Sequence, residues 1–256
     1  MCLILLSYDA HPDYRLILAA NRDEFFARPT AQASFWGEAP QLLAGRDLKG
    51  GGTWLGITKN GRIAAITNYR DPRSYREGAP SRGRLVSDFL LGTMTAADYL
   101  ELLKEEGGAC NGFNLIFGDT ERLCYFSNRD GFPSTLGRGI HGLSNHLLDT
   151  PWPKVARGKE ALERLATEGK DPSPEALFAI LADRTSPPDH LLPDTGVGLE
   201  RERQLSPLFI STPDYGTRSS TLVLIDRECR VTFMERTFNG GTEPSKTVTY
   251  RFSVSF

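Results

Sequence analysis

Several common architectures are excluded by what this 256-residue chain lacks. Its four cysteines, Cys2, Cys110, Cys124 and Cys229, include no CxxC pair, and so few in a chain this long do not make a disulfide scaffold. Histidine is equally scarce. His141 and His146 are too far apart to share a helix face and match no zinc-binding spacing, so no metal site is expected. No apolar run approaches the ~18 residues of a membrane-spanning helix, so no membrane span is expected. The apolar start, Met1 to Ser7, has no basic leader and reaches Asp9 early, which does not fit a signal peptide. The sequence therefore reads as a soluble, cytoplasmic protein. Thirty basic residues against 32 acidic leave a net charge of -2, without the positive excess of a general nucleic-acid binder. There is no GxSxG nucleophile elbow and, because Gly52 meets Thr53 with no lysine between, no phosphate-binding P-loop. No cofactor motif is found.

What remains is an ordinary globular composition. With Gly counted in place of Tyr, about 46% of residues are apolar, enough for a core without covalent staples. No repeat, low-complexity segment or domain boundary interrupts residues 1–256. Strand patterns cover Leu3–Tyr8, Arg15–Ala20, Thr53–Thr58 and Arg62–Thr67, the last two joined by Asn60-Gly61, a type I′ hairpin signal. Helical patterns follow at Arg84–Leu91 and Ala96–Glu106. A second strand group covers Phe113–Phe117, Leu123–Ser127 and Ile140–Ser144. Thr150-Pro151 and Ser173-Pro174 each put a hydroxyl before a proline, which predicts helices over Pro151–Gly169 and Ser173–Arg184. The polar stretch after Arg184 reads as a mobile loop or lid. Strands return at Ser219–Asp226, Arg230–Arg236 and Thr247–Phe256, the last alternating with period two. Antiparallel runs separated by helix pairs make an α+β chain of two sheets with helices outside.

Five constellations are chemically suggestive. If Met1 is removed, Cys2 carries a thiol and an α-amine on one residue, with reference pKa values of about 8.5 and 7.7–8.0. Such a residue is nucleophile and base at once; it is equally a small residue opening a buried strand. Asn21-Arg22-Asp23-Glu24 follows the second strand, and hairpin pairing brings it beside Cys2. Arg22 there would lower the thiol pKa and Asp23 would accept from the amine, or all four form a solvated turn. Gly50-Gly51-Gly52 suits a backbone that must approach a ligand or another strand closely. From Arg62 to Arg84, six Arg oppose Asp71 and Glu77. This is either a solvated loop or a patch for a carboxylate or phosphate, with Arg70, Arg73 and Arg82 at the mouth of a cleft. Asn145, at the end of a strand, is placed to donate to an oxyanion or to form a turn.

Taken together, Met1-Cys2, Asn21–Glu24, Gly45-Arg46-Asp47, Gly51-Gly52-Thr53-Trp54-Leu55-Gly56, Thr67-Asn68-Tyr69-Arg70, Ser81-Arg82-Gly83 and Leu143-Ser144-Asn145 resemble the NRDE, or transport-and-Golgi-organisation, family. That family is similar in turn to the cysteine-type N-terminal nucleophile hydrolases, which include bile-salt hydrolases and penicillin V acylases. The resemblance implies a four-layer αββα sandwich. It also implies a catalytic set of Cys2, Arg22, Asp23, Asn68 and Asn145, the two asparagines at the oxyanion. Those hydrolases separate their Arg and Asp by two residues, whereas Arg22 and Asp23 are adjacent, so Asn21 and Glu24 are the alternates. Arg218 is a loose match for a late catalytic Arg. The implied activity is hydrolysis of a linear, non-peptide C–N bond in a small molecule with an anionic group, without a cofactor. The rival from a different class is a non-catalytic carrier for haem, acyl-CoA or lipid.

Overall fold

The computed structural model describes residues 2–167 and 172–255. Met1, Phe256 and the end of the helix expected over Pro151–Gly169 lie outside the described residues.

The first two strands, β1 (Cys2–Tyr8) and β2 (Tyr14–Phe25), carry the apolar runs Leu3–Leu6 and Leu16–Ala20 because both of their faces are buried there. Ile4, Leu6, Leu16, Leu18 and Ala20 face a second sheet, while Leu3, Leu5, Ile17 and Ala19 face a pair of helices. The same division holds through the rest of the sheet, which has the order β10 (Gly139–Leu143), β1, β2, β11 (Tyr215–Asp226), β12 (Arg230–Thr237), β13 (Lys246–Ser253). The other sheet runs in chain order from β3 (Thr30–Trp36) and β4 (Ala39–Asp47) through β5 (Leu55–Thr58), β6 (Ile63–Asn68), β7 (Phe113–Gly118) and β8 (Leu123–Ser127) to β9 (Ser134–Thr135). Every strand pairing is antiparallel among the described residues.

Helices α1 (Arg82–Leu91) and α2 (Ala96–Glu106) cover the outer face of the second sheet, burying Phe89, Tyr99 and Leu103 against Phe113, Leu115 and Phe117. Helices α3 (Pro153–Thr167) and α4 (Pro174–Leu181) cover the first, with Val155, Leu162, Leu177 and Phe178 packed on Leu3, Leu5, Leu222 and Leu224. The layers are therefore helix, sheet, sheet, helix, as the family resemblance implies.

Five expectations need correcting. Strand β2 does not end at Ala20 but runs on through the Asn21–Glu24 tetrapeptide, because β11 pairs with it as far as Phe25. Strands β3 and β4 are additional; their small, mixed residues carry little period-two signal. Helix α3 starts at Pro153 rather than Pro151: a residue before proline avoids the helical region, which holds Trp152 outside the helix as its cap. The stretch after Arg184 is irregular and largely exposed as far as Gly198, but it is not loop throughout. It contains α5 (Leu199–Leu205), whose Glu202 is only 3% exposed. The Asn60-Gly61 hairpin forms, but only Gly61 has positive φ (83°), so the turn is a type I turn closed by a left-handed glycine.

Candidate active site

Antiparallel pairing sets Cys2 opposite Arg22, at the end of the sheet where β1 begins. A cleft of about 410 Å³ opens there. Its wall includes Cys2, Arg22, Asp23 and Glu24 from the first sheet, Asn68 from the end of β6, and Arg82 from the start of α1. Gly50 borders it, as expected.

Local sequence explains why the wall holds its shape. A Cβ on Gly45 would lie 2.3 Å from the Trp54 ring, so only glycine leaves room for the indole. Trp54 in turn carries Arg22, whose guanidinium carbon sits 4.2 Å from the ring centroid while Nη1 donates to Thr30 Oγ1 at 3.1 Å. A Cβ on Gly52 would meet the Gly83 carbonyl oxygen at 2.3 Å, where the β4–β5 loop docks against the first turn of α1. That docking, with Thr53 N–H donating to Gly83 O at 3.2 Å, fixes Arg82 over the cleft. Gly50 and Gly52 thus allow close packing of this loop against the start of α1, while Gly51 takes a positive φ of 77°.

The two asparagines are joined but not equivalent. Asn145 is fully buried, and its Nδ2 donates to the Asn68 backbone oxygen at 2.9 Å. Its Oδ1 accepts from Arg70 Nη2 at 3.3 Å, and its carbonyl accepts from Arg70 N–H at 2.8 Å. Asn145 does not line the cleft; it braces the end of β6 that presents Asn68. Arg70 departs from expectation altogether. It is 8% exposed, lies 4.9 Å from the Trp152 ring and donates through Nη1 to Glu202 at 2.6 Å. A buried carboxylate on α5 draws it inward, so it is no anchor at the cleft mouth.

Other expected binding residues also separate. Asn21 points to the helix side, donating to the carbonyls of Leu181 and Leu208 at 2.8 and 2.9 Å and accepting from Ser220, so its amide is consumed in the core. Arg73 is exposed, lies 3.7 Å from Asp71 and is absent from the cleft wall. Arg218 Nη1 donates to the carbonyls of Phe25, Phe26 and Arg28, away from the cleft. Glu24 stays on the wall, 3.8 Å from Arg28. Arg82 stays as well, with Nη1 donating to the Gly112 oxygen at 3.0 Å.

Burial pushes the Cys2 thiol pKa up; Asp23 adds to this, and Arg22 opposes it. Burial likewise raises the Asp23 carboxyl, against a 2.8 Å hydrogen bond from Thr217. Arg28 is committed to Asp47 at 2.6 Å. Among the described residues neither Arg22 nor Arg82 forms an ion pair, so the cleft offers positive charge to a guest.

Sequence reasoning missed Trp54, Tyr75 and Asn111 on the wall, and the buried Lys154, whose charge acts on Asp23 and Cys2. Lys154 is 3% exposed, donates to Leu205 O at 3.0 Å, and has its pKa brought down to about 8 by burial and by Arg70. The conjunction of Gly45 with Trp54 was a usable signal for that side chain. A lysine in an amphipathic helix carries none.

Two solved structures share this fold. Penicillin V acylase from Agrobacterium tumefaciens aligns over 99% of this chain and 86% of its own with TM-score 0.52 at 12% identity. The C2A mutant of conjugated bile acid hydrolase from Clostridium perfringens aligns over 100% and 99% with TM-score 0.53 at 9% identity. At such identities the likeness establishes the fold. Sequence relatives are nearer. The Transport and Golgi organization protein 2 homolog of Bos taurus is 40% identical across 99% of both chains. The Drosophila melanogaster Transport and Golgi organization protein 2 is 31% identical over 94% of this chain and 93% of its own. The profile of that family matches residues 1–240, so the cleft at Cys2 is carried by a member of the Transport and Golgi organisation 2 family, built on an N-terminal nucleophile hydrolase fold.

Proposed function

We propose that this chain is a cysteine amidohydrolase that cleaves a linear, non-peptide C–N bond through a thioester on Cys2. The supporting observation is the position of Cys2: the first residue of β1, on the wall of a cleft of about 410 Å³, opposite Arg22. The Cys2 sulfur attacks the amide carbonyl while its proton passes to the α-amine, which exists only once Met1 is gone; Met1 itself lies outside the described residues. The oxyanion that forms accepts from the Asn68 side chain, which Asn145 positions through the β6 backbone. The C–N bond then breaks, the α-amine returns the proton to the leaving nitrogen, and water releases the acyl group as a carboxylate. A raised thiol pKa makes a neighbouring base necessary in the attack itself. Arg82 pairs with an anionic group on the substrate.

Three variants test this. Cys2→Ser keeps the amine but weakens the nucleophile, so turnover of N-acyl amides falls steeply. Cys2→Ala abolishes it. An added residue ahead of Cys2 silences the protein with its thiol intact, whereas an ordinary cysteine nucleophile would survive that change.

A second reading is favoured by the fate of Asn145, whose amide is spent inside the protein rather than on the cleft. It is a carrier that holds haem, acyl-CoA or a lipid by its anionic group. Binding and transport would then tolerate all three variants.

A further inference from the structure

Strand alternation turns the Asp23 carboxyl, like the Asn21 amide, toward the helix layer, where its cross-strand partner Thr217 donates to Oδ1 at 2.8 Å. Thr217 Oγ1 in turn accepts from Ile210 N–H at 3.0 Å, and Ile210 packs with Leu205 at the end of α5. The Leu205 carbonyl accepts from Lys154 Nζ at 3.0 Å. A short chain of contacts therefore ties the second residue of α3 to the carboxylate beside Cys2. Helix α3 is itself fixed over the first sheet: a Cβ on Gly158 would lie 2.7 Å from Leu5, and a Cβ on Gly142 would lie 2.7 Å from Val155. Lys154 is 3% exposed, so its ammonium stays within this layer.

Four buried ionisable side chains share the layer: Asp23, Arg70, Lys154 and Glu202. Arg70 and Glu202 are in contact at 2.6 Å, and with Lys154 and Leu205 they wall a void of about 10 Å³, room for about one water. A charge in such surroundings gives up its ionisation unless an opposite charge compensates it. Arg70 is matched by Glu202, which makes Asp23 the compensating charge for Lys154, and Lys154 for Asp23. Burial, then Arg70, lowers Lys154 to about 8, and burial raises Asp23, while the charge of each favours ionisation of the other. Cys2 and Tyr215 also act on Asp23, but burial raises both, so each is neutral at pH 7. Glu24 lies on the cleft wall, 3.8 Å from Arg28. Arg22 faces Trp54 on the other side of the sheet.

We propose that Lys154 is a positioning residue of the Cys2 centre, the counter-charge that keeps Asp23 ionised behind the first residue of β1. The charged Asp23 stabilises the ammonium that the Cys2 α-amine becomes when it takes the thiol proton. That consequence rests on the amidohydrolase reading; the pairing of Lys154 with Asp23 does not.

Two measurements on the intact protein need no turnover. Carbon-13 NMR should find the Asp23 carboxyl, assigned as the signal that Asp23→Asn removes, ionised at pH 7 in the wild type and titrating about one pH unit higher or more in Lys154→Met. The wild-type signal should also inflect near pH 8, where Lys154 gives up its proton, which tests the pair even if the methionine variant fails to fold. In thermal unfolding at pH 7, Asp23→Asn should lower Tm by about 3 °C or more in the wild type and should not lower it within Lys154→Met. A lysine that only fills space gives the same change in both backgrounds. With N-acyl amides, the acid limb of kcat/KM should move up by about one pH unit in Lys154→Met and stay in place in Lys154→Arg, which keeps the charge. An Asp23 already protonated at pH 7 in the wild type, a carboxyl signal flat through pH 8, or equal Tm changes in both backgrounds overturns the proposal. A wild type that hydrolyses no amide while passing the first two tests refutes the hydrolase reading and leaves the pairing established.

Discussion

Removing the carboxylate of Glu202 should both destabilise the fold and loosen the cleft. Glu202 and Arg70 have side chains 3% and 5% exposed, and their contact is 2.6 Å. The other carboxylate oxygen accepts from Thr195 N–H at 2.9 Å and Thr195 Oγ1 at 2.6 Å, pinning the segment ahead of α5. Breaking a buried ion pair from one side costs about 3–5 kcal/mol, because the surviving charge loses its counterion while water stays excluded. For a chain of this size that corresponds to a fall of roughly 6–20 °C in Tm. Glu202→Ala should show this loss in thermal unfolding followed by circular dichroism. Arg70→Met combined with Glu202→Met should recover most of it, since matched apolar replacements of buried pairs are often neutral. Because Arg70 also holds Asn145, and Asn145 holds the Asn68 carbonyl, the single variant should weaken ligand binding at the cleft as well. A Tm change under about 2 °C, equivalent to less than 1 kcal/mol, would refute the view that this pair ties α5 to the site.

Two further consequences concern charge. Arg82 has no carboxylate partner among the described residues, so Arg82→Gln should weaken binding of anionic ligands more at 0.01 M salt than at 1 M, where screening acts over only about 3 Å; equal losses across that range would show that Arg82 acts by shape alone. Asp149 anchors β10 to α3, bonding His141 Nδ1 at 2.8 Å, Lys159 Nζ at 2.5 Å and Gly142 N–H at 2.9 Å. Burial opposes its ionisation, but the bonds from His141 and Lys159 prevail and hold its pKa down to about 2. Its contribution is therefore complete above an unfolded value of about 4 and fades as pH falls through about 2. The bond to Asp149 raises His141, so that residue's contribution is complete below about 6.5 and is lost as pH rises through the elevated folded value. Tm profiles of the wild type and Asp149→Asn should separate most between about pH 4 and 6.5 and converge toward pH 2; parallel profiles would contradict this.

Much of the layering was legible because strands β1, β2, β7 and β11 bury both faces and carry the short apolar runs Leu3–Leu6, Leu16–Ala20, Leu115–Phe117 and Leu222–Ile225. The pairing of Cys2 with the NRDE tetrapeptide followed from hairpin geometry alone. What escaped was side-chain direction. For the four consecutive polar residues at 21–24 a solvated turn and a set acting on Cys2 were both open, and strand alternation sends Asn21 to the helix layer and Arg22 to the cleft. Similarly, Glu200-Arg201-Glu202-Arg203 has the pattern of a solvated helix face, and only tertiary contact with Arg70 shows that Glu202 is buried. Arg70, Arg73 and Arg82 formed one basic patch by spacing, but the turn through Pro72 and the start of α1 direct them into the core, into solvent and into the cleft respectively. The triple glycine signalled close approach, which Gly50 and Gly52 make, while what approached, the start of α1, was a matter of packing.

The claim that Cys2 is the nucleophile is tested most directly by intact-mass spectrometry of the purified protein, acid-quenched during exposure to a panel of N-acyl amides. The expected spectrum is that of the chain without Met1, with a transient species heavier by the acyl group that disappears in Cys2→Ala. A protein that is fully active while keeping Met1, or that turns over an amide without ever carrying its acyl group on Cys2, would contradict it.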